Sequence, residues 1–300
     1  MKNWGHFLIV FLLILFFSNA SAIGTLSREV LTFWFTQLVP SMFLSIFLIQ
    51  LLSETSFFTF LSQPFQFLCP ILKMNEEGLG FVFSCLLIGC PSSVILINQA
   101  YQNERITQSM ANRLLLCTPV ATVSFLVMSV GAQMLQNQTS GFVLWILQIA
   151  VSFVLLWLTR SIPLTMHPQI IKKDDSKKKH PISGALFQTG SILFLIGGYL
   201  LMFQTVSFLI EPILPVSWHP FFKIISEFSY GCHLIANSMP FEKAFVYISC
   251  LCGFNGLCVQ FQALSLSELK ISVHNYFLFR LLQALLCFIS GQAVLPLLAG

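Results

Sequence analysis

The chain is 300 residues long, 56% hydrophobic and only 9% charged, with a formal net charge of +4 and a mean hydropathy of +0.83. Soluble globular domains carry about a quarter charged residues, so this composition excludes a water-solvated fold for most of the chain. The 32 phenylalanines fall mainly inside long apolar runs, which leave no polar positions at helical spacing to form a surface.

Apolar stretches of about 17 to 25 residues mark membrane-spanning helices. In chain order they cover residues 5–22, 31–52, 79–98, 110–135 and 141–159, then 187–210, 222–237, 244–264 and 276–298. The weak alternation of a membrane barrel is missing, so the predicted fold is all-α, a polytopic membrane helix bundle. The first stretch has two readings. Lys2, an apolar run and Ala20-Ser21-Ala22 resemble a secretory signal, but the run is long for one and no exported soluble domain follows, which favours an uncleaved, signal-anchor-like helix over residues 1–27. Pro64 and Pro70 interrupt residues 56–72, which therefore read as a broken or re-entrant helix.

Residues 160–181 are the one substantial hydrophilic stretch. Arg160, Lys172, Lys173, Lys177, Lys178 and Lys179 stand there against Asp174 and Asp175, a balance of +4 that equals the charge of the whole protein. The positive-inside rule puts this loop in the cytoplasm, together with the short 99–109 connection that carries Glu104 and Arg105. Nucleic acid or anionic lipid is an alternative use for such a loop. A topology anchor and linker is the simpler one, and no nucleic-acid partner is expected. The amino terminus falls on the external side unless residues 56–72 cross fully. The domain plan is then the 1–27 helix, a first membrane unit at 28–160, a basic cytoplasmic linker at 161–184 and a second membrane unit at 185–300.

Nine cysteines lie in or beside apolar segments and read as small reduced hydrophobes. Cys250-Leu251-Cys252 is a poor match to metal-ligand spacing, and hydrolase, P-loop and dinucleotide motifs are missing. No metal, cofactor or catalytic residue is expected, and the protein does not read as an enzyme.

The two halves follow one plan, which suggests an internal duplication. In the first, Leu87-Ile88-Gly89-Cys90-Pro91-Ser92-Ser93 ends one span and Leu116-Cys117-Thr118-Pro119-Val120-Ala121-Thr122 interrupts the next. In the second, Phe228-Ser229-Tyr230-Gly231-Cys232-His233 and Leu251-Cys252-Gly253-Phe254-Asn255-Gly256 occupy the corresponding places, with Gly89 matched to Gly231. Counting spans favours parallel repeats, and a full crossing by residues 56–72 would make them inverted. A glycine or proline at membrane depth frees backbone groups that lipid cannot satisfy, so the bend must face protein or a wet cavity. Paired breaks in two halves point to a substrate or ion site between them.

The candidate substrate-binding residues are accordingly Gly89, Pro91, Ser92, Ser93, Thr118 and Pro119 from the first half. The second half supplies Glu227, Ser229, Gly231, Asn237, Asn255, Gly256 and Gln260. Thr122, Ser124, His233 and Gln262 add polar groups along the same helices. Glu227 stands apart as the acidic residue placed inside a span, an expensive position that is functional by default. It is expected to face a polar cavity near Ser92, Ser93 and Asn255. Arg280 is similarly placed near the start of its helix, while Arg113 reads as interfacial.

At these residues the chain resembles the sporulation integral membrane protein YlbJ group, whose members carry nucleoside-recognition, or Gate, domains. The likeness rests on Ile88-Gly89-Cys90-Pro91-Ser92-Ser93, Glu104-Arg105-Ile106-Thr107 and the stretch from Arg113 to Pro119. It continues through Glu227-Phe228-Ser229-Tyr230-Gly231, the segment from Gly253 to Gln262, and Tyr276-Phe277-Leu278-Phe279-Arg280. Two positions differ: Ser92 and Ser93 follow the proline where the family has small residues and a glycine, and Thr118 stands where it has asparagine. The resemblance implies two Gate-like repeats in a multi-pass protein of a bacterial cell membrane, used in spore development. Two functions fit: a transporter or channel for a small solute or ion, or a non-transporting assembly or scaffold factor for sporulation. The expected partners are the lipid bilayer, such a solute or ion, and a second copy or other membrane proteins.

Overall fold

A computed structural model of the chain describes residues 3–53, 57–161, 181–269 and 271–298, and among these it contains helices and no strand. The amino-terminal part comprises α1 (Asn3–Ser18), α2 (Ala20–Phe33), a π-helical turn (Trp34–Leu38), α3 (Val39–Ser53), α4 (Phe57–Ser62) and α5 (Leu68–Leu72). Next come α6 (Glu76–Ile88), α7 (Ser92–Gln102), α8 (Gln108–Cys117), a π-helical segment (Phe125–Met134) and α9 (Gln138–Leu158). The second half holds α10 (Pro181–Ile210), α11 (His219–Ser226), α12 (Phe228–Ser238), α13 (Phe241–Phe254), α14 (Gly256–Leu266) and α15 (Val273–Leu298). The lysine-rich part of the basic linker, 172–179, lies outside the described residues.

Among the described residues, five helical stretches are long and apolar enough to cross a membrane: Ala20–Leu52, Gln138–Leu158, Ile182–Ile213, Phe241–Leu266 and Val273–Leu298. Four of the nine spans expected from hydropathy are not among them; in the first, residues 5–22, α1 ends at Ser18 and the chain passes through Asn19 into α2. The other three, residues 79–98, 110–135 and 222–237, are mainly apolar, yet each is cut into two short helices, at 89–91, at 118–122 and at Glu227. The expected loop between the first two spans is also helical. Arg28 and Glu29 sit inside α2, which runs on through Gly24 and Ser27 without a break. The π turn that follows prepares for Pro40: Val39 donates to Trp34 five residues back, which absorbs the register shift a proline forces on a helix. Residues 57–72 are broken as expected, with a 3-10 turn at Gln63–Phe65 between α4 and α5.

Side-chain caps set several helix starts. Asn75 accepts from the Gly78 amide at 2.9 Å to open α6, with Glu76 and Glu77 in its positive first turn. Thr107 and Asn137 cap α8 and α9 in the same way. Small residues let helices approach closely. A side chain on Gly253 would come within 2.7 Å of the Ala284 backbone, and the Ser249 hydroxyl donates to the Cys287 carbonyl at 2.8 Å, fastening α13 to α15.

The apolar core falls into two clusters that meet between Val120 and Ala121. Along α9 the change comes between Leu147, in one cluster, and Val151, in the other. Gln148 lies at that seam, is the middle residue of this 21-residue helix, and accepts from the Ala121 amide at 2.9 Å. The interrupted helices meet at this same level.

Candidate functional site

Four interruptions converge. The first is the turn at 89–91, where Gly89 has φ 72° and Cys90-Pro91 is cis. The Cys90 amide donates to the Val120 carbonyl at 2.8 Å, tying this turn to the non-helical 118–122 stretch, the second interruption. A side chain on Gly89 would meet the Thr122 amide at 2.9 Å, so only glycine suits both the positive φ and the contact. The third interruption is Glu227 and the fourth is Asn255-Gly256, whose φ values are 66° and 64°. Gly256 abuts the Phe228 amide closely enough that a side chain would lie 2.8 Å from it. Across the halves, Asn255 Nδ2 donates to the Pro119 carbonyl at 2.7 Å.

Two buried charges flank this layer, and each rests on helix ends rather than on the other. Glu227 is 3% exposed and caps α12, its carboxylate accepting the amides of Ser229 at 3.0 Å and Tyr230 at 2.6 Å. Those amides are orphan donors at the positive end of the helix, which suits an anion. Arg280 on α15 is fully buried and donates to the carbonyls of Leu116 and Pro119, at and just beyond the carboxyl end of α8. Those are orphan acceptors at a negative helix end, which suits a cation. Among the described residues neither side chain has a charged partner.

A small cavity opens where the breaks meet. It has about 40 Å³ of room for water-sized spheres, enough for about two waters or a small ion. Its polar lining comes from Glu227, Ser229, Asn255, Thr122 and Gln262, and its apolar lining includes Met42, Pro91, Phe125 and Val259. Oxygen acceptors predominate. Asn255 commits its amide nitrogen to Pro119, and the buried Gln262 Oε1 has no donor among the described residues. The site is thus a carboxylate with neutral oxygens beside it, chemistry that suits a small cation or a donor-rich solute.

Of the residues expected at the site, Pro91, Glu227, Ser229 and Asn255 line the cavity. Gly89, Pro119 and Gly256 shape the backbone around it, and Thr118 ends α8 with its hydroxyl on the Leu114 carbonyl at 2.7 Å. Ser92 and Ser93 are buried in the first turn of α7 but do not line the cavity, which takes Cys90 and Pro91 from that turn instead. Gly231 lies inside α12 against the Ile224 carbonyl rather than at a break, so its match to Gly89 does not extend to the bend. Gln260 turns back to the Phe254 carbonyl at 2.8 Å, and Asn237 is exposed at the far end of α12, paired with His233. Thr122 and Gln262 belong to the site although neither stands out as a helix breaker. Their signal is a polar side chain inside an apolar run.

The fold and site define an all-α protein in which long apolar helices enclose a polar layer of interrupted ones. The chain matches no family model, no curated protein and no solved structure.

Proposed function

We propose that the chain is a multi-pass membrane protein that moves a small solute or ion through the cavity where its four helix breaks meet. The observation that carries this reading is the depth of that cavity. Gln148, tied to the break at Ala121, is the middle residue of α9, so the breaks lie about 15 Å along the axis from either end of that helix. A hydrocarbon core about 30 Å thick would then hold the site near its centre. Interrupted helices with an acidic side chain at that depth are what transport sites use, because irregular backbone is tolerated there only beside protein or water.

The arrangement of breaks also supports an internal repeat. One unit would pair α6–α7 with α8 and the π segment, and the other α11–α12 with α13–α14. The resemblance to the YlbJ group adds the setting, a bacterial cell membrane during spore development. The second reading, a non-transporting assembly factor for sporulation, draws on the backbone groups that hold the Glu227 carboxylate and both terminal nitrogens of Arg280, since a purely structural layer would look the same in that respect.

Flux separates the two. Purified protein in liposomes is to be assayed with sodium, potassium, protons and a panel of nucleosides, beside protein-free liposomes. Transport requires a flux above the protein-free background that Asn255→Leu removes. Flux equal to background for every member of the panel, with the protein inserted and folded, rejects it in favour of the assembly factor.

A further inference from the structure

A second cavity, of about 300 Å³, lies at one end of the bundle and has a different chemistry. Lys73, Arg105, Arg113 and Arg160 line it, no carboxylate among the described residues does, and the helix caps Asn75 and Thr107 complete its polar wall. The fold holds each cation in place. Lys73 Nζ donates to the Ser161 hydroxyl at 3.0 Å, and Arg160 lies over the Trp157 ring at 4.5 Å. Arg105 pairs with Glu77 at 2.8 Å and lies over the Phe81 ring. Arg113 is the telling one. It is only 6% exposed, and its acceptors are the neutral Thr159 hydroxyl, at 3.2 Å, and the Leu156 carbonyl. Arg280 is held by neutral acceptors in the same way, but Arg113 borders an open cavity that three further cations line, and an anion there would offset their mutual repulsion.

We propose that this cavity binds the phosphate of an anionic group. Phosphate is the anion best matched to several guanidinium forks and an ammonium that converge where Glu77, behind Arg105, is the one acid paired with them among the described residues. The amino-terminal end of α8, whose cap Thr107 lines the cavity and whose first turn carries no acid, adds positive potential and orphan amides. The place fits a lipid headgroup. α9 ends at Leu158 between Trp157 and Arg160, the pattern of a helix leaving the hydrocarbon at the headgroup level, and basic pockets between helices at that depth take lipid phosphates. The site is independent of the transport cavity and stands whether or not the protein carries a solute.

The test uses the purified full chain in neutral detergent. Its thermal stability is followed on titration with short-chain phosphatidylglycerol, short-chain phosphatidylcholine, inorganic phosphate, and sodium chloride at matched ionic strength. A saturable rise in melting temperature with phosphatidylglycerol, absent with phosphatidylcholine and chloride, supports the proposal and assigns the phosphate to a lipid. The same rise with inorganic phosphate alone supports it and assigns a free anion. Lys73→Gln and Arg160→Gln should each weaken the apparent affinity about ten-fold while leaving the ligand-free melting temperature near that of the parent. Mass spectrometry of lipid retained through purification needs no variant and should find phosphatidylglycerol kept in preference to phosphatidylcholine. Protection no greater than that of chloride, or equal affinity in folded Lys73→Gln, Arg160→Gln and parent proteins, overturns the proposal.

Discussion

Asn255 and Arg280 share one acceptor: Asn255 Nδ2 and Arg280 Nη1 both donate to the carbonyl oxygen of Pro119, at 2.7 and 3.0 Å. One oxygen thus joins the break after α8, the break before α14, and the continuous helix α15. Proline cannot donate, and its carbonyl lies past the last turn of α8, so this oxygen has no partner of its own in the helix. The second half of the chain supplies both.

Arg280→Met should therefore loosen the site without leaving a large hole. It strips the Leu116 and Pro119 carbonyls of a charged donor, a loss of about 3 kcal/mol. The expected outcome is a clear fall in melting temperature in detergent, with Arg280→Lys intermediate because it keeps the charge but not the fork. A melting temperature for Arg280→Met equal to that of the parent would show that water serves those carbonyls as well.

The two positive-φ glycines at the breaks give a second expectation. Gly89→Ala and Gly256→Ala each introduce a side chain about 3 Å from a backbone amide, at Thr122 and Phe228 respectively, and should each cost about 1–3 kcal/mol. Gly198→Ala is the control. It lies within α10 with nothing within 4 Å of an added side chain, so it should be neutral or slightly stabilising. Equal melting temperatures for all three variants would contradict the close approach at the breaks.

Much of this layer was legible because its residues are unusual for a membrane helix. Gly89, Pro91, Pro119 and Gly256 mark three of the four breaks through backbone chemistry alone, and Glu227 stood out by charge. That Glu227 is itself the fourth break was not legible. A carboxylate that ends one helix and caps the next sits in the same apolar run as one on an unbroken helix, and only the extended backbone there, φ −135° and ψ 124°, tells them apart. Gly231 drew attention as a glycine, but its role is to admit the Ile224 carbonyl inside the α11–α12 bend. The pairing of Gln148 with Ala121 is a long-range contact that no local pattern records. For the same reason the cavity's choice of Cys90 over Ser92 and Ser93 follows from how the turn packs, not from which residues are polar.

Sidedness can be checked through the basic linker, which the positive-inside rule predicts to be cytoplasmic from its charge balance. Arg105 and Arg160, from the two connections expected on that side, line one cavity at one end of the bundle. A cysteine at Ser176, in a background without the nine native ones, should resist an impermeant thiol reagent in intact cells and react after lysis. Labelling in intact cells would reverse the orientation.

The central claim rests on the carboxylate of Glu227, and the most direct measurement compares flux in liposomes for Glu227→Gln and Glu227→Asp at equal inserted protein. Glutamine keeps the size and one capping acceptor but removes the charge, whereas aspartate keeps the charge and caps helices well. If the carboxylate serves the transported species, Glu227→Gln should lower flux about ten-fold or more while Glu227→Asp retains a measurable fraction. Wild-type flux from Glu227→Gln would mean that Glu227 does no more than cap α12, and would contradict the transport reading at its main support.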